Sequence, residues 1–452
     1  MDYKGKKIIV LGAGTSGVGA ARVLARLGAE TVLADRNEAA VSDAERDELT
    51  GLGVTVITGR QDESMLAGVD RVIVSPGIPL TVPFLEAACE KGIEVVGEVE
   101  LAYEVCKAPI LAVTGTNGKT TVTTLLAKVM ELTGKHISVG GNIGDSLSEQ
   151  ALAAPADGIV VAEVSSYQLE SVKTFRPHGA IVLNVTPDHL QRHKTMEAYA
   201  AAKANIFRCQ EAGDFTVLNV DDPIVKAMAP KVHAKILCIS QQGTVTDGAY
   251  FSDGTCYAVK DGKAVPVVKA ADLLIPGQHN IENVLAVIAL AYALGVDPVA
   301  MGEAIRHFGG VEHRIEKTAV IDGVTYYNDS KATNTDSAIK ALEAFTAPIV
   351  LLAGGHDKMT PLADFMAEVK KTVKDLVLMG EAADRFEAAA RDAGITAIHR
   401  ANSMEEAVRM GQQLAKPGDI VLLSPACSSF DWYSCFEERG DDFKAKVRKL
   451  MK

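Results

Sequence analysis

Apolar runs too short for helices, each closed by glycine or a polar residue, alternate along the chain with stretches where Ala and Leu recur at helical spacing. The order at the start is KIIVLGAG (7–14), GVGAARVLARLGA (17–29), ETVLADR (30–36) and then VDRVIVSPG (69–77). Continuous apolar strands separated by helices predict a parallel sheet covered on both faces. The pattern restarts after Lys107-Ala108-Pro109 with ILAVTG and continues through DGIVVAEVSS (157–166), GAIVLNVTPDH (179–189) and FTVLNVDD (215–222). Residues 240–275, rich in Gly, Thr and Val, read as short antiparallel strands, and a long apolar helix follows from about His279. A third alternation begins near 311 with GVTYYNDS, APIVLLAGG, DLVLMG and GDIVLLSPACSS. The expectation is an α/β protein of three domains: Rossmann-like over 1–107, a P-loop-type ATPase over 108–310, and a second Rossmann-like unit over 311–452.

Candidate chemistry sits at the strand ends, where open parallel sheets bind ligands. LAVTGTNGKTTVTTL (111–125) is a buried strand, a glycine turn with one lysine, and the opening of a helix. Such a turn aims backbone N–H groups at a polyphosphate, with Lys119 on the terminal phosphates and Thr120 on a bridging Mg²⁺. The loop is a short variant of the common pattern, because Val113 stands where the first glycine usually lies. Gly12, Gly14 and Gly17 fit G-x-G-x-x-G, with Asp35 where a ribose-binding acid sits. That turn reads phosphate, so NAD and the diphosphate of another nucleotide both remain open. Ser75-Pro76-Gly77 either approaches the same ligand or simply ends a strand.

Glu163 ends an apolar strand and reads as a metal ligand or a helix cap. His189 is a second metal ligand or a local hydrogen-bonding group, and Lys203, alone on an alanine-rich helix, is stranger than a snorkelling surface lysine. Asn280 and Asn283 share a helix face. In the third unit 328–334, 354–358 and 424–430 bring polar groups to three strand ends, either one small-substrate cleft or three routine loops. Arg314 lies at the junction, where it reaches a phosphate on domain closure or stays on the surface.

Composition narrows the function. The 46 basic and 58 acidic residues give a net charge of -12, which argues against a nucleic-acid or anionic-membrane surface. The seven cysteines are scattered without a CxxC pair, predicting reduced thiols and a cytoplasmic setting. The lysine-bearing start is too short in its apolar run for a signal peptide, and no apolar stretch reaches membrane-spanning length.

Taken together, GTNGKTT (115–121), GGNIG (140–144), EVSSYQLE (163–170), TPDHL (186–190), HNIENVLA (279–286), EHR (312–314), NDSKATN (328–334) and SPACSSFDWYSCFEERG (424–440) resemble the Mur ligase family, the last two its D-glutamate-adding branch. The resemblance covers essentially the whole chain. It implies an ATP-dependent amide ligase of peptidoglycan precursor synthesis that phosphorylates the carboxylate of UDP-N-acetylmuramoyl-L-alanine for attack by D-glutamate, with no nucleic-acid or membrane partner and a monomeric state. It further implies that Gly115, Thr116, Asn117, Gly118, Lys119, Thr120, Thr121, Asn280, Asn283, Arg314, Asp329 and Lys331 bind ATP. Thr120 and Glu163 then hold one Mg²⁺, and His189 and a carbamylated Lys203 hold a second. Thr15, Ser16, Asp35, Arg36, Ser75, Pro76, Gly77 and Asn142 fall on the UDP-substrate, and Thr333, Lys358, Ser429 and Phe436 on D-glutamate. Phe430 departs from the smaller aliphatic residue of the family pattern. An NAD-dependent oxidoreductase is the rival reading from the N-terminal glycines, and another Mur-type or folylpolyglutamate-type ligase the nearer one.

Overall fold

The computed structural model describes residues 2–275, 277–357 and 359–451. The chain divides into two compact units, Met1–Leu273 with Gln278–His307, and Leu274–Gly277 with Phe308–Lys452.

The first unit contains two sheets. One is wholly parallel, built from β1 (Lys7–Leu11), β2 (Glu30–Asp35), β3 (Thr55–Thr58), β4 (Arg71–Val74) and β5 (Glu94–Gly97) in the order β3-β2-β1-β4-β5. Side chains of β1 alternate between two cores, Ile8 and Val10 on one face and Ile9 and Leu11 on the other, as a strand buried on both faces must. The strand order reverses between β1 and β4, and the crevice beyond their carboxyl ends is where such a sheet takes its ligand.

The second sheet has nine strands. These are β6 (Ile110–Thr114), β7 (Ile137–Gly141), β8 (Ile159–Glu163), β9 (Gly179–Val182), β10 (Phe215–Asn219), β11 (Lys235–Ser240), β12 (Gly248–Ser252), β13 (Thr255–Lys260) and β14 (Lys263–Lys269), ordered β14-β13-β12-β11-β10-β9-β6-β8-β7. The antiparallel pairs are β12–β13 and β13–β14, which bears out the reading of 240–275. The helix Gln278–Ala293 is buried along most of its length.

The second unit carries β15 (Glu316–Ile321), β16 (Val324–Asn328), β17 (Ile349–Gly354), β18 (Val373–Met379), β19 (Ile398–Ala401) and β20 (Ile420–Leu423), ordered β15-β16-β20-β17-β18-β19 and parallel except for β15. All seven cysteines are unpaired, and no described helix is long and apolar enough to cross a membrane. The three sheets bear out the α/β class read from the sequence, and they contain six strands that the apolar runs did not disclose, β3, β5, β7, β11, β15 and β19.

Candidate active site

At the switch point of the first sheet, the β1 turn and the β4 turn are tied together. Ser75 donates its N–H to the Leu11 carbonyl (2.9 Å) and its hydroxyl to that of Gly12 (3.0 Å). Gly12 has φ +99°, and a Cβ on Gly17 would overlap the Gly12 carbonyl oxygen, so helix Thr15–Arg26 packs against the turn as only glycine allows. Asp35 accepts from the N–H of Ala13 and of Asn37 (2.8 Å each), so it braces the glycine turn. Thr15, Ser16, Asp35, Arg36, Ser75, Pro76 and Gly77 all line one cleft of about 610 Å³, and Asn142 enters it from the second sheet. All eight residues expected at the UDP-substrate are therefore brought together.

The phosphate loop follows β6. Gly118 has φ +84°, and any side chain there would collide with Asn283 Oδ1; Asn283 in turn donates to Asn280 Oδ1 (2.9 Å). The loop is held from beneath by Asn184, whose carbonyl accepts from Thr116 N and whose Oδ1 accepts from Asn117 N (2.8 Å). Helix Lys119–Met130 starts at Gly118 with no side-chain cap, leaving its first N–H groups directed at the loop's concavity. Thr120 and Thr121 are buried in its first turn.

Two lysines converge on one carbonyl. Lys119 Nζ donates to Gly115 O (3.0 Å) and Thr116 O (2.9 Å), and Lys203 Nζ donates to Gly115 O (2.7 Å). Lys119 is thus turned onto the loop itself. Lys203 is 1% exposed, and burial, reinforced by the Lys119 charge and opposed by Asp188, pushes its ammonium down to about 6. Its Nζ lies 4.5 Å from the centre of the Tyr199 ring, and the Tyr199 hydroxyl meets Thr116 Oγ1 at 3.2 Å.

Glu163 ends β8 beside Val113 of β6. One carboxylate oxygen accepts from Asn142 Nδ2 (2.8 Å), while Oε2 is buried with no hydrogen-bond partner. A buried carboxylate oxygen left unsatisfied is costly unless a cation completes it, so the donor set fits a hard metal ion. His189 sits at φ +54°, its Nδ1 3.0 Å from the Tyr167 hydroxyl and its ring 6.2 Å from that of Tyr199. The loop carrying it is anchored by Arg192, which donates to Glu170 (2.7 Å) and to the Ile78 carbonyl of the β4 turn (3.1 Å). Sequence reasoning missed Tyr199 and Arg192. Tyr199 precedes Lys203 by one helical turn, a spacing that was available as a signal.

In the second unit the ends of β16, β17 and β20 meet. Asp329 N donates to the Leu423 carbonyl (2.7 Å), Gly354 N to that of Pro425 (2.8 Å) and His356 N to that of Ser428 (3.0 Å). Asp329 is fully buried and accepts from Ser424 Oγ (2.7 Å) and Ile315 N (3.2 Å). Burial pushes its carboxyl up to about 7 against the pull of Ser424, Arg314 and Arg439. Lys331 Nζ stands 5.6 Å from the Phe436 ring centre; Thr333 donates its N–H to Lys331 O (2.8 Å), and Ser429 is buried. Arg439, also missed, clasps the cluster: its guanidinium donates to Ser330 Oγ (2.9 Å), Ser330 O (2.8 Å), Cys427 O (3.1 Å) and Ser428 O (3.0 Å). Phe430 is 69% exposed. Lys358 lies outside the described residues, next to Asp357, which is paired bidentately with Arg385 (2.6 Å).

A phosphate loop with paired lysines, a carboxylate with a spare buried oxygen and a nucleotide-sized cleft on the adjoining sheet define an enzyme that works on phosphorylated nucleotides. The comparisons specify which. Residues 6–97 match the MurD-like N-terminal domain of Mur ligases, 113–291 the Mur ligase middle domain and 313–427 the Mur ligase glutamate ligase domain. A UDP-N-acetylmuramoylalanine–D-glutamate ligase of Pelotomaculum thermopropionicum is 46% identical over 451 residues, covering 100% of this chain and 99% of the relative, and one of Clostridioides difficile is 41% identical over 100% of both. Among solved structures, the UDP-N-acetylmuramate–alanine ligase of Thermotoga maritima aligns with 98% of this chain and 99% of its own at TM-score 0.58 and 18% identity, and a pseudomurein peptide ligase type C of Methanothermus fervidus with 98% and 100% at 0.56 and 19%. The chain belongs to the Mur ligase family. It is an ATP-dependent carbon–nitrogen ligase, and the oxidoreductase reading drawn from the first glycine turn is set aside.

Proposed function

We propose that this chain adds D-glutamate to UDP-N-acetylmuramoyl-L-alanine at the expense of ATP, through an acyl phosphate, in cytoplasmic peptidoglycan precursor synthesis. Its three domains are 1–107, which takes the UDP moiety, 108–310, which takes ATP, and 311–452, which takes the amino acid. The observation that carries the reading is the convergence of Lys119 and Lys203 on the Gly115 carbonyl, in a unit where Glu163 keeps a bare buried oxygen. Full-length similarity to D-glutamate ligases supports the choice of amino acid.

A carboxylate is a poor electrophile until one oxygen becomes a phosphate leaving group. The loop's N–H groups and Lys119, swung from its carbonyls onto phosphate, neutralise the transferring phosphoryl group. Asn280 and Asn283 back the loop, and Arg314, Asp329 and Lys331 are the further residues assigned to ATP. Thr120 and Glu163 would hold one Mg²⁺, and His189 and Lys203 a second, the metal supplying charge neutralisation between substrate anions. Lys203 fits a carbamate because an amine depressed to about 6 is neutral at physiological pH and therefore nucleophilic toward CO₂. Thr333, Ser429, Phe436 and Lys358 form the D-glutamate pocket, the polar side chains meeting its carboxylates and the ring forming a wall. The acyl phosphate, attacked by the D-glutamate amine, expels phosphate as the amide closes.

The test is a panel of amino acids offered with UDP-N-acetylmuramoyl-L-alanine and ATP and scored by phosphate release. D-Glutamate alone should sustain turnover. Turnover with L-alanine or a diamino acid instead would assign the chain to another branch of the family.

A further inference from the structure

The strand-linking turn 141–145 has two feet. One stands on Glu163: Asn142 donates its N–H to the Glu163 carbonyl and its Nδ2 to Glu163 Oε1, both at 2.8 Å. Gly141, at φ +110°, abuts the Glu163 carbonyl so closely that no side chain fits. The other foot stands on Glu98, at the start of helix Glu98–Val105 in the first domain. Glu98 Oε1 accepts from Ser146 Oγ (2.9 Å) and Ser148 N (2.6 Å). Ser146 in turn caps helix Leu147–Ala153 and packs flush against Gly19 of helix Thr15–Arg26, where a Cβ would overlap its hydroxyl.

Glu98 is 2% exposed, its Oε2 is buried without a partner, and burial drives its carboxyl above the ordinary range. A polar group so expensive to bury is hard to account for by packing alone. Its single satisfied oxygen links the first domain to the turn that closes the UDP-substrate cleft, which Asn142 and Gly141 line together with Ser16 and Ser75.

We propose that Glu98 is a positioning residue for this reaction: acting through Ser146 and Ser148, it sets the 141–145 turn so that Asn142 simultaneously walls the UDP-substrate cleft and orients Glu163. The proposal rests on the functional reading above. A change at Glu98 then disturbs the nucleotide-sugar end of the active site while sparing the amino-acid end.

The experiment uses the full-length chain and two readouts. In steady-state kinetics Glu98→Ala is expected to raise KM for UDP-N-acetylmuramoyl-L-alanine about tenfold, the scale of one lost buried hydrogen bond, with KM for D-glutamate unchanged. Glu98→Gln keeps an acceptor oxygen facing Ser146 and Ser148 and is expected to restore the wild-type KM. Ser146→Ala, which removes one of the two donors without emptying the carboxylate site, should give a smaller rise of the same selectivity and serves if Glu98→Ala does not fold. Hydrogen exchange over peptides spanning 141–148 should quicken in Glu98→Ala and Ser146→Ala and return to the wild-type rate in Glu98→Gln. A lowered melting temperature with all KM values unchanged, or equal rises for all substrates, overturns the proposal. Wild-type protein that turns over none of these substrates refutes the functional reading instead, and wild-type exchange rates over 141–148 in both variants then overturn the positioning role independently.

Discussion

At the scale of single residues, the most consequential group is Lys203. Its ammonium faces a carbonyl and an aromatic ring, with another lysine on the same carbonyl. No described carboxylate forms an ion pair with it, and Asp188 acts on it only at a distance. That arrangement is poor for a structural cation and good for a reactive amine. Lys203→Ala is expected to abolish nearly all phosphate release, and short carboxylic acids that occupy the space of a carbamate should restore part of it. Wild-type turnover by the variant would remove Lys203 from the chemistry. Residue spacing exposed this lysine only as an oddity, and its metal role came from the family resemblance, because spacing on an alanine-rich helix tells which face a residue shares but not that the face is buried against a phosphate loop. The residues that hold the site in shape were harder still. Arg439 and Glu98 bond to backbone carbonyls, hydroxyls and an amide of segments distant in sequence, and such partners have no signature of residue type. By contrast Lys119, Glu163 and the Asn280–Asn283 pair were legible, since their chemistry is tied to a strand end or a helix face that the apolar pattern locates.

At the scale of elements, five of the six strands that the apolar runs did not disclose, β3, β5, β7, β15 and β19, are sheet edges, and the sixth, β11, lies between β10 and β12. An edge strand is covered less completely than a central one, so it carries charged or half-exposed residues and loses the continuous apolar signal; IHRA in β19 and EKTAVI in β15 are examples. Most central strands were legible because both their faces are buried; β11 was not, since it opens on an exposed lysine and half-buried positions interrupt its buried ones. The glycine turn after β1 shows the same limit from the other side. The motif names three glycines, yet the structure distinguishes them: Gly14 has φ -74° and open space around a would-be Cβ, whereas a Cβ on Gly17 would overlap the Gly12 carbonyl, which is backbone and cannot swing away. Gly17→Ala is therefore expected to lower the melting temperature by several degrees, on the order of 2 kcal/mol or more, and Gly14→Ala to leave it within about a degree. Equal melting temperatures for the two variants would mean that helix Thr15–Arg26 is free to shift away from the turn.

At the scale of the whole molecule, the two units carry buried groups that titrate with opposite consequences for stability. In the first, Lys203 is lowered from 10.5 to about 6 by burial. Between those values the unfolded chain holds the proton and the folded one does not, so the contribution to stability rises with pH across that window and is lost below about 6, where an ammonium must stay buried. In the second unit Asp329 is raised from 3.8 to about 7. There the folded state holds the proton longer, so stability from this group is full below about 4 and declines as pH climbs to about 7. Scanning calorimetry between about pH 5 and pH 9, inside the range these shifts cover, should therefore find that Lys203→Met flattens an upward drift of the transition belonging to the first unit. Asp329→Asn should flatten a downward drift in the transition belonging to the second, between pH 5 and about 7. Other titrating groups are common to wild type and variant, so the difference between their midpoints isolates each residue. If either variant keeps the wild-type slope, the corresponding group is not buried in the state that unfolds; for Lys203 that result would also withdraw the neutral amine on which carbamate formation depends.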